Sequence, residues 1–209
     1  MYLPQMSRIQ RAVAQARNVA LDVAYTGRPL RHVRAPQPTH PHAHASHSCD
    51  YRLIKEILQA FPLRPQDTFV DIGCGFGRVM VVAARSQPRA RVVGIEGDPA
   101  VAGAARRLSN RYPTIEVLEG WAPEPLPDDV TYAFMWNPFP ASVALTVLSR
   151  IAELTSGREC RVVMLNQLDE EQVVSSQIVE RDFACERLVV GGSGLLRGLE
   201  LPVLSLERS

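Results

Sequence analysis

The segment Phe69-Val-Asp-Ile-Gly-Cys-Gly-Phe-Gly-Arg78 constrains this chain more than any other. Thr68 to Ile72 is a short apolar run bounded by Asp67 and Gly73, which reads as a buried strand. Glycines stand at 73, 75 and 77, and the stretch from Val79 to Arg85 then continues as a helix. Glycine at every second position lets the main chain turn sharply and lets a ligand lie against bare backbone. The following helix directs unpaired N–H groups at that ligand, which favours a carboxylate or a phosphate. Strand, glycine turn and helix, in that order, open an α/β unit.

From Asp50 onward the texture keeps that alternation. Residues 51–61, YRLIKEILQAF, have helical spacing through Leu53, Ile57 and Phe61, with Ser48 as the candidate cap. Further strands are predicted at Ala90–Ile95, Thr114–Leu118, Thr131–Trp136 and Arg161–Leu165. Helices are predicted at Pro99–Arg111, Ala141–Leu154 and Asp169–Gln177, with Pro99 suited to a first turn. Phe183–Val190 and Leu195–Leu206 flank a GGSG turn and read as an antiparallel hairpin. The expected fold class is α/β: an open, mostly parallel sheet with helices on both faces and one reversed strand.

With 209 residues, 46% of them hydrophobic, the chain is one domain with an extension. Its 23 basic and 22 acidic residues balance to +1, which argues against nucleic acid as the main partner. No apolar run approaches the roughly 20 residues a bilayer requires, so no membrane span is expected. Cys49, Cys74, Cys160 and Cys185 are widely spaced, with no CxxC pair, and read as free thiols in a reducing, cytoplasmic setting.

The amino-terminal segment shows no apolar h-region or cleavage site, so a secretory signal is not expected; its Arg-rich, acid-poor composition keeps a transit peptide as the minor alternative. Ile9, Val13, Ala16, Ala20 and Val23 recur at three- and four-residue steps and share one helical face, with Gly27 and Pro29 as stop signals. Residues 35–48, APQPTHPHAHASHS, are a loop rich in histidine and proline. The expected division is therefore an extension at 1–48, serving as lid or substrate-binding segment, and a main domain at 49–209. Six arginines and one aspartate give the extension a net charge of 6 − 1 = +5, which suits an anionic substrate or partner.

Three kinds of glycine loop compete for positions 73–77. The nicotinamide fingerprint GxGxxG needs a glycine where Arg78 stands, and a Walker A loop needs a GK[ST] that is absent. The third pattern, DxGxGxG, fits from Asp71 to Gly77. Arg91-Val-Val-Gly-Ile-Glu96 then ends in a carboxylate 19 residues beyond Gly77, placed to accept both hydroxyls of a ribose.

On these residues the chain resembles the class I S-adenosylmethionine (SAM)-dependent methyltransferases over roughly residues 50–209. Its VDIGCGFGR loop and NPF motif are similar to those of small bacterial members, and more distantly to the non-SET histone lysine methyltransferases. The resemblance implies a Rossmann-like, seven-stranded sheet with SAM over the carboxyl ends of the first, second and fourth strands. It implies that Asp71, Gly73, Gly75 and Gly77 border the methionine part of SAM and that Glu96 holds the ribose, with Cys74 and Gly97 also cofactor-binding. Many members place an aspartate after the third strand to contact adenine; here Trp121 takes that position. Two readings stand for Trp121, stacking on the purine or filling a gap under the sheet edge.

The fourth strand runs into Asn137-Pro138-Phe139-Pro140, similar to the [DNS]PP[YFW] motif of amino-group methyltransferases. An amine nucleophile must present its lone pair in line with the S–CH3 bond, and the amide oxygen of Asn137 suits that task. Phe139 is a candidate wall for the substrate, and Asn137 also borders the cofactor. Among His40, His42, His44 and His47, His47 is the candidate base and His44 a candidate substrate contact, while metal binding and a plain polar loop remain open. Magnesium assistance is not expected, since Asn137 and Asn166-Gln167 stand where its carboxylates would be.

The expected function is methyl transfer from SAM to a small molecule, with an amine acceptor ahead of a hydroxyl. Rival readings are a protein lysine methyltransferase, a SAM-binding protein without transfer, and a nicotinamide oxidoreductase. Neither nucleic acid nor membrane is an expected partner, and the oligomeric state is open.

Overall fold

A computed structural model of the chain describes residues 7–30, 49–136, 140–156, 158–165, 170–190 and 199–206. Helix α1 (Arg8–Thr26) opens with a reciprocal capping box between Ser7 and Gln10 and closes at Gly27, whose φ of +78° favours glycine. Helix α2 (Tyr51–Ala60) is capped by Asp50, whose carboxylate accepts the Arg52 N–H at 2.8 Å. The cap expected at Ser48 therefore sits two residues later, at Asp50.

The alternation then runs β1 (Thr68–Ile72), α3 (Arg78–Ser86), β2 (Arg91–Glu96), α4 (Pro99–Arg106), β3 (Ile115–Glu119), β4 (Tyr132–Trp136), α5 (Ala141–Leu154) and β5 (Cys160–Leu165). It ends with α6 (Glu170–Val174), α7 (Gln177–Asp182), β6 (Ala184–Val190) and β7 (Leu199–Leu206). The seven strands form one sheet in the order β3-β2-β1-β4-β5-β7-β6. Strands β1 to β5 pair in parallel, and β7 runs antiparallel to both β5 and β6. This is the mostly parallel sheet with one reversed strand expected from the sequence.

Side chains alternate between the two faces, as the period of two requires. Phe69, Val92 and Phe134 pack with α2, α3 and α4, while Val70, Ile72, Val93 and Met135 pack with α5, α6 and α7. The chain order reverses at β1, which is flanked by β2 and β4. In open α/β sheets, ligands bind outside the carboxyl ends of the strands at such a switch point.

Two predicted helices end differently. The one beginning at Pro99 stops at Arg106, where the Ser109 hydroxyl donates to the Arg106 carbonyl at 2.8 Å and the chain passes into tight turns. The one read from Asp169 to Gln177 is two helices in the described residues. The Ser175 hydroxyl bonds back to Glu171, and the Ser176 hydroxyl caps α7 by accepting the Val179 N–H.

Helix α1 forms as its spacing predicts, but its apolar stripe faces outward: Ile9 is 77% and Val13 61% exposed. Its docked side joins Leu21 and Tyr25, packed against the core, to polar groups: Arg17 and Asn18 bond Asp50, and the Asp22 carboxylate is fully buried. Cys49, Cys74 and Cys160 are buried free thiols. Among the described residues, no helix is long and apolar enough to cross a membrane.

Candidate cofactor site at the switch point

The glycine loop leaves β1 at Ile72 and is stitched to β2. The N–H groups of Gly73 and Cys74 both donate to the Ile95 carbonyl at 2.9 Å, and the Gly75 N–H donates to Glu96 Oε2 at 2.9 Å. Gly77 holds φ at +85°, a conformation that strains any residue with a Cβ, and an added Cβ would also press on the side-chain tips of Leu108 and Met80. Gly77 is also the N-cap of α3 and offers no side-chain bond, which leaves the first-turn amides of that helix without a cap.

Glu96 is half-buried at the tip of β2. Its Oε2 accepts from Gly75, and its Oε1 accepts the Asp98 N–H at 2.9 Å. A carboxylate offers about four lone-pair sites, so Glu96 keeps acceptor capacity beyond its main-chain donors. Burial raises its pKa, against the opposing pull of these main-chain bonds.

Asp71 is fully buried in β1, and its Oδ2 has no hydrogen-bond partner among the described residues. Burial, and then the nearby charge of Glu96, push its carboxyl up to about 8. Burial also raises the pKa of the Cys74 thiol, with the charges of Asp71 and Glu96 adding to it.

After β2 the chain passes Gly97, and a Cβ there would overlap the ring of Trp121. Trp121 therefore lies against bare main chain beside Glu96, with 37% of its surface exposed. Glu119, Gly120, Trp121, Glu124 and Pro125 line an open surface depression of about 650 Å³ after β3.

The described fold thus gathers Asp71, Gly73, Cys74, Gly75, Gly77, Glu96, Gly97 and Trp121 on two adjacent strand ends and the turn beyond the third. Asn137, Phe139, His44 and His47 lie outside the described residues, as do His40 and His42. One structural pair escaped the sequence reading. Arg78, the first residue of α3, donates from Nε to Asp22 Oδ1 at 2.9 Å and from Nη2 to Asp22 Oδ2 at 2.7 Å. A charge opening the otherwise apolar RVMVVAA was the available signal, but nothing in the pattern joins it to a partner 56 positions away.

Comparison with known proteins agrees with the fold. The family model for "Histone methylation protein DOT1" matches residues 48–121, from the approach to α2 through Trp121. A trans-aconitate 2-methyltransferase of Azoarcus sp. (strain BH72) is 29% identical over 104 residues, covering 48% of this chain. The match takes in 41% of that relative's length. A methyltransferase structure from Pyrococcus furiosus superposes with a TM-score of 0.60 at 16% identity, covering 94% of this chain and 96% of that one. An RNA methyltransferase from Salinibacter ruber, solved with S-adenosyl-L-homocysteine (SAH), has a TM-score of 0.55 at 19% identity, covering 77% of this chain and 92% of that one.

Proposed function

We propose that this chain, similar in fold and in relatives to the class I SAM-dependent methyltransferases, transfers a methyl group to an amine, or second to a hydroxyl, of a small molecule. Support for the small-molecule class comes from the trans-aconitate named for its curated relative, and the +5 charge of the amino-terminal extension suits an anionic acceptor.

The observation that carries the reading is the unit formed by Asp71, the glycine loop and Glu96. The residues fit SAM. The unpartnered Oδ2 of Asp71 suits the ammonium of the methionine part, and the bare main chain at 73–77 and the uncapped start of α3 suit its carboxylate. The remaining acceptor capacity of Glu96 suits the ribose hydroxyls, while Trp121 on Gly97 offers a flat wall to the purine.

SAM supplies an already activated methyl group, so the task of the chain is alignment and exclusion of water. Strand β4 runs parallel to β1 and ends at Trp136, and Asn137 follows directly. In this reading the Asn137 amide oxygen accepts an N–H of the attacking amine and aims its lone pair. Phe139 and His44 contact the acceptor, and His47 takes the proton that the amine releases.

The test is incubation with methyl-labelled SAM and a panel of small amines, hydroxylated compounds and carboxylic acids. Label transfer with stoichiometric SAH supports the reading; tight SAM binding with no SAH formed on any acceptor turns it into a binding protein. The match over residues 48–121 favours a second reading, a protein lysine acceptor, which a methylation assay on a peptide array addresses.

A further inference from the structure

The glycine loop is held from two sides, and only one of them is the sheet. Toward β2, the N–H groups of residues 73–75 are fixed by Ile95 and Glu96. Toward the other side, the loop passes through Gly77 into Arg78, and Arg78 is gripped by α1. Asp22 and Arg78 are 0% and 7% exposed. Asp22 Oδ1 accepts from Arg78 Nε at 2.9 Å and from the Tyr51 hydroxyl at 2.9 Å. Asp22 Oδ2 accepts from Arg78 Nη2 at 2.7 Å and from the Leu30 N–H at 3.1 Å. The remaining arm, Nη1, donates to the Cys49 carbonyl at 3.0 Å, and the guanidinium sits 5.1 Å over the Tyr51 ring.

Energetics make this an unusual choice for a helix start. A cation in the first turn opposes the helix dipole, and burying an ion pair has a desolvation cost that apolar residues of similar volume avoid. What a bidentate arginine–carboxylate pair supplies is fixed direction. Here it joins α1, the main chain at Leu30 and Cys49, and α2 to the residue immediately after the loop.

We infer that Asp22 and Arg78 are positioning residues for the cofactor loop: through them α1 sets the start of α3, and with it the main chain at 73–77, in the shape that receives the cofactor. The inference rests on the methyltransferase reading above and extends it to a helix outside the site.

The test compares SAH binding by calorimetry, thermal stability, and amide hydrogen exchange across residues 72–80 in wild-type protein and three variants. Asp22→Asn keeps the shape but removes the charge. The double variant Asp22→Asn with Arg78→Met removes both charges, so neither is left buried without its partner. Arg17→Ala weakens α1 docking elsewhere, at its pair with Asp50. The expected result is an SAH affinity lowered by about tenfold or more in the double variant while it remains folded, with faster exchange in the loop. Arg17→Ala should leave both readouts unchanged. A double variant that is folded, binds SAH like wild type and protects its loop equally overturns the inference, even if Asp22→Asn alone proves too unstable to measure. Absence of SAH binding in the wild-type protein would instead remove the methyltransferase reading itself.

Discussion

Gly75 donates its main-chain N–H to Oε2 of Glu96 at 2.9 Å, so the turn after β1 and the acidic tip of β2 form one hydrogen-bonded unit. That bond explains why a carboxylate occupies this strand end: it shapes the loop before any ligand arrives and still has acceptor capacity to offer.

Glu96→Ala removes both roles. The variant should bind SAH more weakly by about 1.5–3 kcal/mol, the usual worth of hydrogen bonds to a charged group. Glu96→Gln keeps one acceptor oxygen and should fall between the two. Affinities for SAH measured across the three proteins check this, and equal affinities would contradict the ribose assignment.

The raised carboxyl of Asp71 predicts a pH dependence with a definite sign. Its folded pKa of about 8 lies well above the ordinary aspartate value near 4. Between these, the folded state holds a proton that the unfolded chain has released. The stability from this group is full below about pH 4 and declines toward pH 8, by up to about 1.4 kcal/mol per unit. Asp71→Asn should flatten the decline in denaturant titrations.

A cationic ammonium beside Asp71 favours its ionised form, so SAH binding near pH 7 should release a proton. Calorimetry in two buffers of different ionisation enthalpy should show a difference in heat that Asp71→Asn abolishes. A difference preserved in the variant would place the proton elsewhere.

Gly97→Ala places a methyl group where the Trp121 ring lies. The ring must move, so tryptophan emission should shift in the unliganded protein and SAH affinity should fall by about 1–3 kcal/mol, an overpacking cost. Retained affinity with shifted emission would show that the ring does not wall the purine.

Asn137→Ala should lower turnover much more than SAM affinity, because its proposed bond is made to the acceptor. Steady-state rates at saturating SAM, set beside SAH affinity, separate the two, and intact turnover would remove the amine-positioning role.

Much of this arrangement is legible in the residues themselves. Apolar runs bounded by turn residues mark the strands, and the glycines at 73, 75 and 77 mark the loop, because both are local demands on the backbone. The separation of α6 from α7 was less visible, since it turns on Ser175 and Ser176 choosing main-chain partners over helix continuation. The orientation of α1 ran against its pattern: its apolar stripe is exposed, while Asp22 is drawn inward by Arg78 and Tyr51. Such pairings join residues far apart in the chain, and periodicity carries no information about them.

The most direct measurement is a calorimetric titration of the purified protein with SAH, run beside NAD as the competing nucleotide ligand. The account predicts saturable one-site binding of SAH, weakened in Glu96→Ala, and no heat with NAD. Folded protein that gives no heat with SAH, or that binds it equally without the Glu96 carboxylate, would contradict it.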